Sequence, residues 1–147
     1  MRVSKINSRA KGKAGELEVV HILREELGIE ACRNLDQWRD GGCDILGIEG
    51  WAIEVKRAKT AKFADWWDQA VRQAGISKIP ALWYRLDRKQ WKVIIPLHAI
   101  NKDFGFHLSL EWTAEITPEV FCALVREDIS EREEWNSRHQ KQVGQPH

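Results

Sequence analysis

No apolar run in the sequence approaches the roughly 18–20 residues that span a bilayer. The N-terminal stretch MRVSKINSRAKGK also lacks the apolar segment of a secretory signal. A cytoplasmic protein without a membrane partner is expected. Cysteine is scarce: Cys32, Cys43 and Cys122 are an odd number with no C-x-x-C pair, which leaves neither a disulfide framework nor a zinc ribbon. The histidines, His21, His98, His107, His139 and His147, show no metal-ligand spacing, and no H-x-x-x-H, G-x-S-x-G or Walker-type loop occurs. Zinc hydrolase, serine hydrolase and ATPase readings therefore fall away. Proline and glycine, 4 and 10 in 147 residues, are too few for a collagenous or low-complexity chain. The 43% apolar and 31% charged residues instead fit one packed α/β domain. Its expected extent is 1–139, followed by a loose tail over 140–147.

The formal net charge is only +1, yet the charge is segregated. Arg2, Lys5, Arg9, Lys11 and Lys13 stand together without an acid, and Lys56, Arg57, Lys59 and Lys62 follow closely on one another. The acids Glu127, Asp128, Glu131, Glu133 and Glu134 collect at the far end. A basic face can thus coexist with a neutral total.

Apolar periodicity predicts a helix over Lys13–Leu27, with Gly28 as the residue that ends it. Short strands are expected at Glu30–Leu35, Asp44–Gly47 and Trp51–Ala58, with the polar stretch Asp36–Gly42 between the first two. A second helix, Ala64–Ala74, closes at Gly75, and strands Ala81–Leu86 and Gln90–Ile95 flank the turn Asp87-Arg88-Lys89, with Pro96 as the stop. Leu97–Glu115 carries no clear signal. Thr117-Pro118 then opens a helix to about Arg138, as an N-cap followed by proline in the first turn. The order α-β-β-β-α-β-β-α predicts a mixed sheet with helices packed on it.

Three residues break the expected pattern. On the first helix Glu16 continues the apolar stripe of Val20, Leu23 and Leu27, so an acid points inward, unless it simply favours the positive end of the helix dipole. Glu18, about 200° away, is expected to face water. On Trp51–Lys56, alternation places Glu54 and Lys56 on one face. Asp44 can join them if the preceding hairpin closes through the three-residue loop Ile48-Glu49-Gly50, which sets Asp44 opposite Glu54. A two-residue loop, Glu49-Gly50, would pair Asp44 with Val55 and part the acids, and the sequence permits either. Two carboxylates that close repel unless one is protonated or a cation lies between them. Oxygen ligands select Mg²⁺ or Mn²⁺ over zinc.

Lys11-Gly12-x-x-x-Glu16, Gly42-x-Asp44-Ile45 and Ile53-Glu54-Val55-Lys56 resemble the PD-(D/E)XK nucleases. Among these they are most similar to the archaeal-type Holliday junction resolvases and their phage relatives. The resemblance covers about residues 9–95. The proline that names the superfamily is replaced here by Cys43. The resemblance implies a restriction-endonuclease-like αβββαβ core and a Mg²⁺-dependent nuclease acting on four-way DNA. Glu16, Asp44 and Glu54 would then be the metal-binding acids and Lys56 the amine that assists attack. Gln69 would be the glutamine of the following helix, with Gln73 a weaker match. Arg9, Lys11, Lys13, Arg57, Lys59 and Lys62 are candidates for sequence-independent phosphate contacts. Paired cuts across a junction imply a homodimer. Trp66 and Trp67 cannot both face one core from a helix, so one of them is expected at that interface. A nuclease for flaps, ends or ordinary duplex, and a DNA-binding protein without catalysis, are the competing readings.

Overall fold

Trp51–Ala58 sits in the middle of the molecule, and alternation along a strand there obliges both of its faces to find partners. The computed structural model describes residues 3–35 and 42–143, and in it this strand is β3 of a six-stranded mixed sheet. In chain order the elements are α1 (Val3–Leu27), β1 (Cys32–Arg33), β2 (Ile45–Leu46), β3 (Trp51–Ala58) and α2 (Phe63–Ala74). Then come β4 (Ile79–Leu86), β5 (Lys92–Pro96), β6 (Thr113–Ile116) and α3 (Pro118–Val143). The strands lie side by side in that same order, all antiparallel except the β3–β4 pair. A parallel pair needs a long crossover, and α2 supplies it. The expected restriction-endonuclease-like arrangement, a mixed sheet between helices, is what the chain adopts.

One face of the sheet carries Ile53, Val55, Trp83, Val93 and Ile95 against Val19, Val20 and Leu23 of α1 and Phe121, Cys122 and Val125 of α3. Phe121 stands edge-on to both Trp51 and Trp83, at centroid distances of 4.9 and 5.3 Å. The other face carries Leu82, Tyr84 and Ile94 beneath Trp66, Trp67 and Ala70 of α2. Each such fully buried side chain contributes about 1.5–3 kcal/mol, so β3 and β4 are held from both sides. The expectation that Trp66 or Trp67 faces a dimer partner is not met. Trp66 packs on Phe63 and Tyr84, and Trp67 is buried with its indole N–H donating to the Leu108 carbonyl at 2.8 Å. The segment after β5 thus meets α2 at Leu108.

Boundaries differ where apolar periodicity carries no information. The first helix begins at Val3, ten residues before Lys13, because its early positions are polar. The first two strands shrink to Cys32–Arg33 and Ile45–Leu46, whereas β4 starts two residues early at Ile79. Pro96 is the last paired residue of β5, opposite Thr113, and β6 lies in the stretch that gave no signal. The last helix is capped as expected, the Thr117 hydroxyl accepting the Val120 N–H at 3.2 Å. It continues to Val143, so 140–143 is helical and not loose tail. Residues 36–41, with most of the expected polar stretch and Trp38, and residues 144–147 lie outside the described residues. No helix among the described residues is long and apolar enough to cross a membrane.

Gly47 closes the small end of the sheet. Its φ is +104°, and a Cβ there would lie 2.8 Å from the Glu30 carbonyl oxygen. Gly47→Ala is expected to destabilise the fold by about 1–3 kcal/mol. Urea unfolding checks this, and an unchanged midpoint contradicts it.

Candidate active site

Register decides whether the acids meet. Ile45 pairs with Ile53, which is the register of the three-residue loop, and Gly50 takes a φ of +83° at its end. Asp44 is therefore level with Glu54 and not with Val55. The regular ladder stops at Asp44. Its N–H donates to the Ile53 carbonyl at 2.8 Å, and its Oδ2 accepts the Val55 N–H at 2.7 Å. Asp44 and Glu54 are 7% and 3% exposed, the two buried charged side chains among the described residues.

Gln69 on α2 joins this pair to Lys56. Its Nε2 donates to Glu54 Oε1 at 2.8 Å, and its Oε1 accepts from Lys56 Nζ at 2.8 Å. Lys56 Nζ itself lies 3.6 Å from Glu54 Oε1. The amide offers its donor to the anion and its acceptor to the cation, so one side chain spaces both. Glu54 Oε2 is buried without a hydrogen-bond partner among the described residues. Burial, and next the neighbouring Asp44 charge, push the Glu54 carboxyl up to about 8 against the pull of Lys56. An oxygen-only pair with an unpartnered buried carboxylate oxygen is a donor set that suits a hard divalent cation.

Glu16 reaches the same edge by a different route. Its Oε2 accepts from Arg33 Nε on β1 at 2.7 Å, with both side chains partly buried. Burial raises its carboxyl above the ordinary value; the Arg33 hydrogen bond opposes this, and the Asp44 charge adds to it. Among the described residues no group of three His, Cys, Asp or Glu side chains is placed to hold an ion. Asp44 and Glu54 form a pair, with Glu16 beside them on a guanidinium.

The backbone ahead of Asp44 is fixed by polar side chains. Asn34 Nδ2 donates to the Cys43 carbonyl at 3.0 Å, and the Asn34 N–H donates to the Asp44 carbonyl at 2.8 Å. Gln73 Oε1 accepts the Gly42 N–H at 2.6 Å. Gln73, one turn beyond Gln69, thus serves the strand entry. Cys43 is buried with Ala52 and Ala74. Of the basic candidates, Arg9, Lys13, Lys59 and Lys62 are exposed, whereas Lys11 bonds both Asp87 oxygens, at 2.7 and 2.9 Å. Arg57 passes across Gly15, where a Cβ would come within 2.9 Å of its Cγ, and pairs with Glu18 at 3.4 Å. Glu18 does not simply face water. It also accepts from Arg85 at 3.0 Å and from the Trp91 indole N–H at 2.9 Å. Sequence reasoning missed Arg33, Asn34 and this role of Glu18, because partners so distant along the chain leave no local pattern.

A family model described as "Phage putative PDDEXK endonuclease" matches residues 7–120. The chain belongs to that family. No curated protein and no solved structure matches the chain. This phage PDDEXK endonuclease family sets the superfamily, PD-(D/E)XK, and a nuclease. The matched span includes Glu16, Asp44, Glu54, Lys56 and Gln69. It runs past residue 95 through β6 to the third residue of α3, further than the motifs alone reach.

Because the fold raises the Glu54 carboxyl, it favours the protonated form. That stabilisation is complete below the unfolded-state value of 4.5 and is lost as pH rises through about 8. Without divalent metal, the endonuclease is expected to lose on the order of a few kcal/mol between about pH 5 and about pH 9. Glu54→Gln should flatten that loss. Urea unfolding in the presence of a chelator reads both, and an equal slope in the variant contradicts the assignment.

Proposed function

We propose that this endonuclease hydrolyses DNA phosphodiesters with Mg²⁺, or Mn²⁺ in its place, held by Asp44 and Glu54, with Glu16 completing the shell directly or through water. The observation that carries the reading is the buried Asp44–Glu54 pair, with one Glu54 oxygen unpartnered among the described residues and the Lys56 amine 3.6 Å from the other. A divalent cation bound there supplies Lewis acidity toward the scissile phosphate and its attacking water.

The rest is done by side chains. Gln69 holds Lys56 Nζ at 2.8 Å and so keeps the ammonium beside Glu54, where it would meet substrate with little loss of freedom. Lys56 orients that water and neutralises charge growing on the phosphoryl oxygens. Asp44 takes the Val55 N–H at 2.7 Å, which fixes the orientation of its carboxylate beside Glu54. Glu54 acts as the carboxylate, and metal loading therefore improves as pH rises toward about 8. Arg9, Lys13, Lys59 and Lys62, all exposed, are the side chains we assign to backbone phosphates, contacts that read no bases.

The substrate we assign is the four-way junction, cut by paired strokes in the cytoplasm of a prokaryotic cell or phage-infected host. Paired cuts ask for two sites in fixed relation, which a two-fold homodimer supplies. The motif resemblance to junction resolvases supports this substrate.

Labelled four-way junction, flap and linear duplex are to be incubated with and without Mg²⁺. Symmetric nicks across the branch point are expected; equal cutting of flap or duplex overturns the junction substrate, and binding without nicks overturns catalysis. Asp44→Asn and Glu54→Gln should each lower cleavage by at least about 100-fold while junction affinity in Ca²⁺ stays close to wild type. Normal turnover in either variant removes that acid from the mechanism.

A further inference from the structure

Two acids hold the basic face, and they hold it differently. Glu18 takes donors from Arg57, Arg85 and Trp91, a network joining α1 to β3, β4 and the residue just before β5. Asp87, in the β4–β5 turn, gives both of its oxygens to one ammonium, that of Lys11, at 2.7 and 2.9 Å. Its carboxyl is held below the ordinary value first by that hydrogen bond and also by the charges of Lys11, Arg57 and Lys59. A single carboxylate therefore stands among three cations that belong to the phosphate-binding candidates.

Its place along the sheet matters as much as its company. The Asp87 N–H donates to the Ala58 carbonyl at 3.1 Å, anchoring the turn at the end of β3. Ala58 is two residues past Lys56, roughly 7 Å along an extended strand. The next residue, Arg88, holds a φ of +65°, the one described non-glycine residue with positive φ. Two carboxylate oxygens on one ammonium reproduce what the two non-bridging oxygens of a phosphodiester would do.

We propose that Asp87 is a phosphate stand-in: it occupies Lys11 in the free protein, and a backbone phosphate of bound DNA displaces it. This rests on the DNA-cleaving function proposed above. Asp87 thereby lowers affinity for any polyanion that does not reach Lys11, and the exchange costs little because an exposed ion pair is worth little.

The test is fluorescence anisotropy of a labelled four-way junction in chelator over a series of salt concentrations, with melting curves for each variant. Asp87→Asn is expected to bind about three- to five-fold more tightly at low salt. Lys11→Gln should bind more weakly, with a log–log salt slope shallower by about 0.9, the loss of one phosphate contact. The double variant should match Lys11→Gln. Asp87→Ser, a second neutral side chain, must tighten binding as Asp87→Asn does. If both neutral variants melt as wild type and bind equally or more weakly, Asp87 is only a clamp between α1 and the turn, and the inference falls. The same follows if Lys11→Gln leaves the slope unchanged. A wild-type protein that does not bind DNA in a salt-dependent way overturns the DNA function itself, and this inference with it.

Discussion

Burying two carboxylates side by side is the constraint to which the centre of this protein answers. Asp44 and Glu54 are almost wholly removed from water, and like charges in that setting each make the other harder to ionise. The chain meets this with one backbone N–H on Asp44, one amide on Glu54 and one ammonium shared through Gln69. Among the described residues these donors do not fully compensate: Glu54 Oε2 has no hydrogen-bond partner, and burial beside Asp44 pushes the Glu54 carboxyl up to about 8. Stability is being given up locally, as is usual at sites prepared for a ligand.

The neighbouring charges divide between holding and contacting. Arg33 steadies Glu16, Glu18 gathers Arg57 and Arg85, and Gln73 and Asn34 fix the backbone that delivers Asp44. Helix α2 carries much of this. From one rigid rod, Trp66 and Trp67 fill the core beneath the sheet while Gln69 and Gln73, a turn apart, reach the acids and the strand entry.

Most of the sheet, its helices and the sharing of one face by Glu54 and Lys56 were legible because they depend on local rules: alternation on β3, periodicity on α1, and a glycine suited to the hairpin loop; β6 was not. Whether Asp44 met Glu54 was a choice between two loops, and Ile45 opposite Ile53 resolves it. What stayed hidden was non-local. Nothing around Glu18 announces Arg85 or Trp91, and nothing in Leu97–Trp112 announces that the Leu108 carbonyl takes the Trp67 indole N–H. Both adjacent tryptophans are buried in one cluster with Leu82, Tyr84 and Ile94, brought there by strands far along the chain. The ends of α1 and α3 were misjudged because helices whose outer turns are polar carry no apolar signature.

The parallel β3–β4 ladder has a kinetic implication. Its eight residue pairs cannot form until the chain between them has made α2 and crossed the sheet. That same crossover delivers Gln69 to Glu54 and Lys56. Loop closure, helix docking and assembly of the reactive constellation are thus a single event of high contact order, slow relative to the local β2–β3 hairpin. A nascent or partly unfolded chain that lacks the crossover has neither Gln73 to hold the strand entry ahead of Asp44 nor Gln69 to space Glu54 from Lys56, and so carries no organised centre.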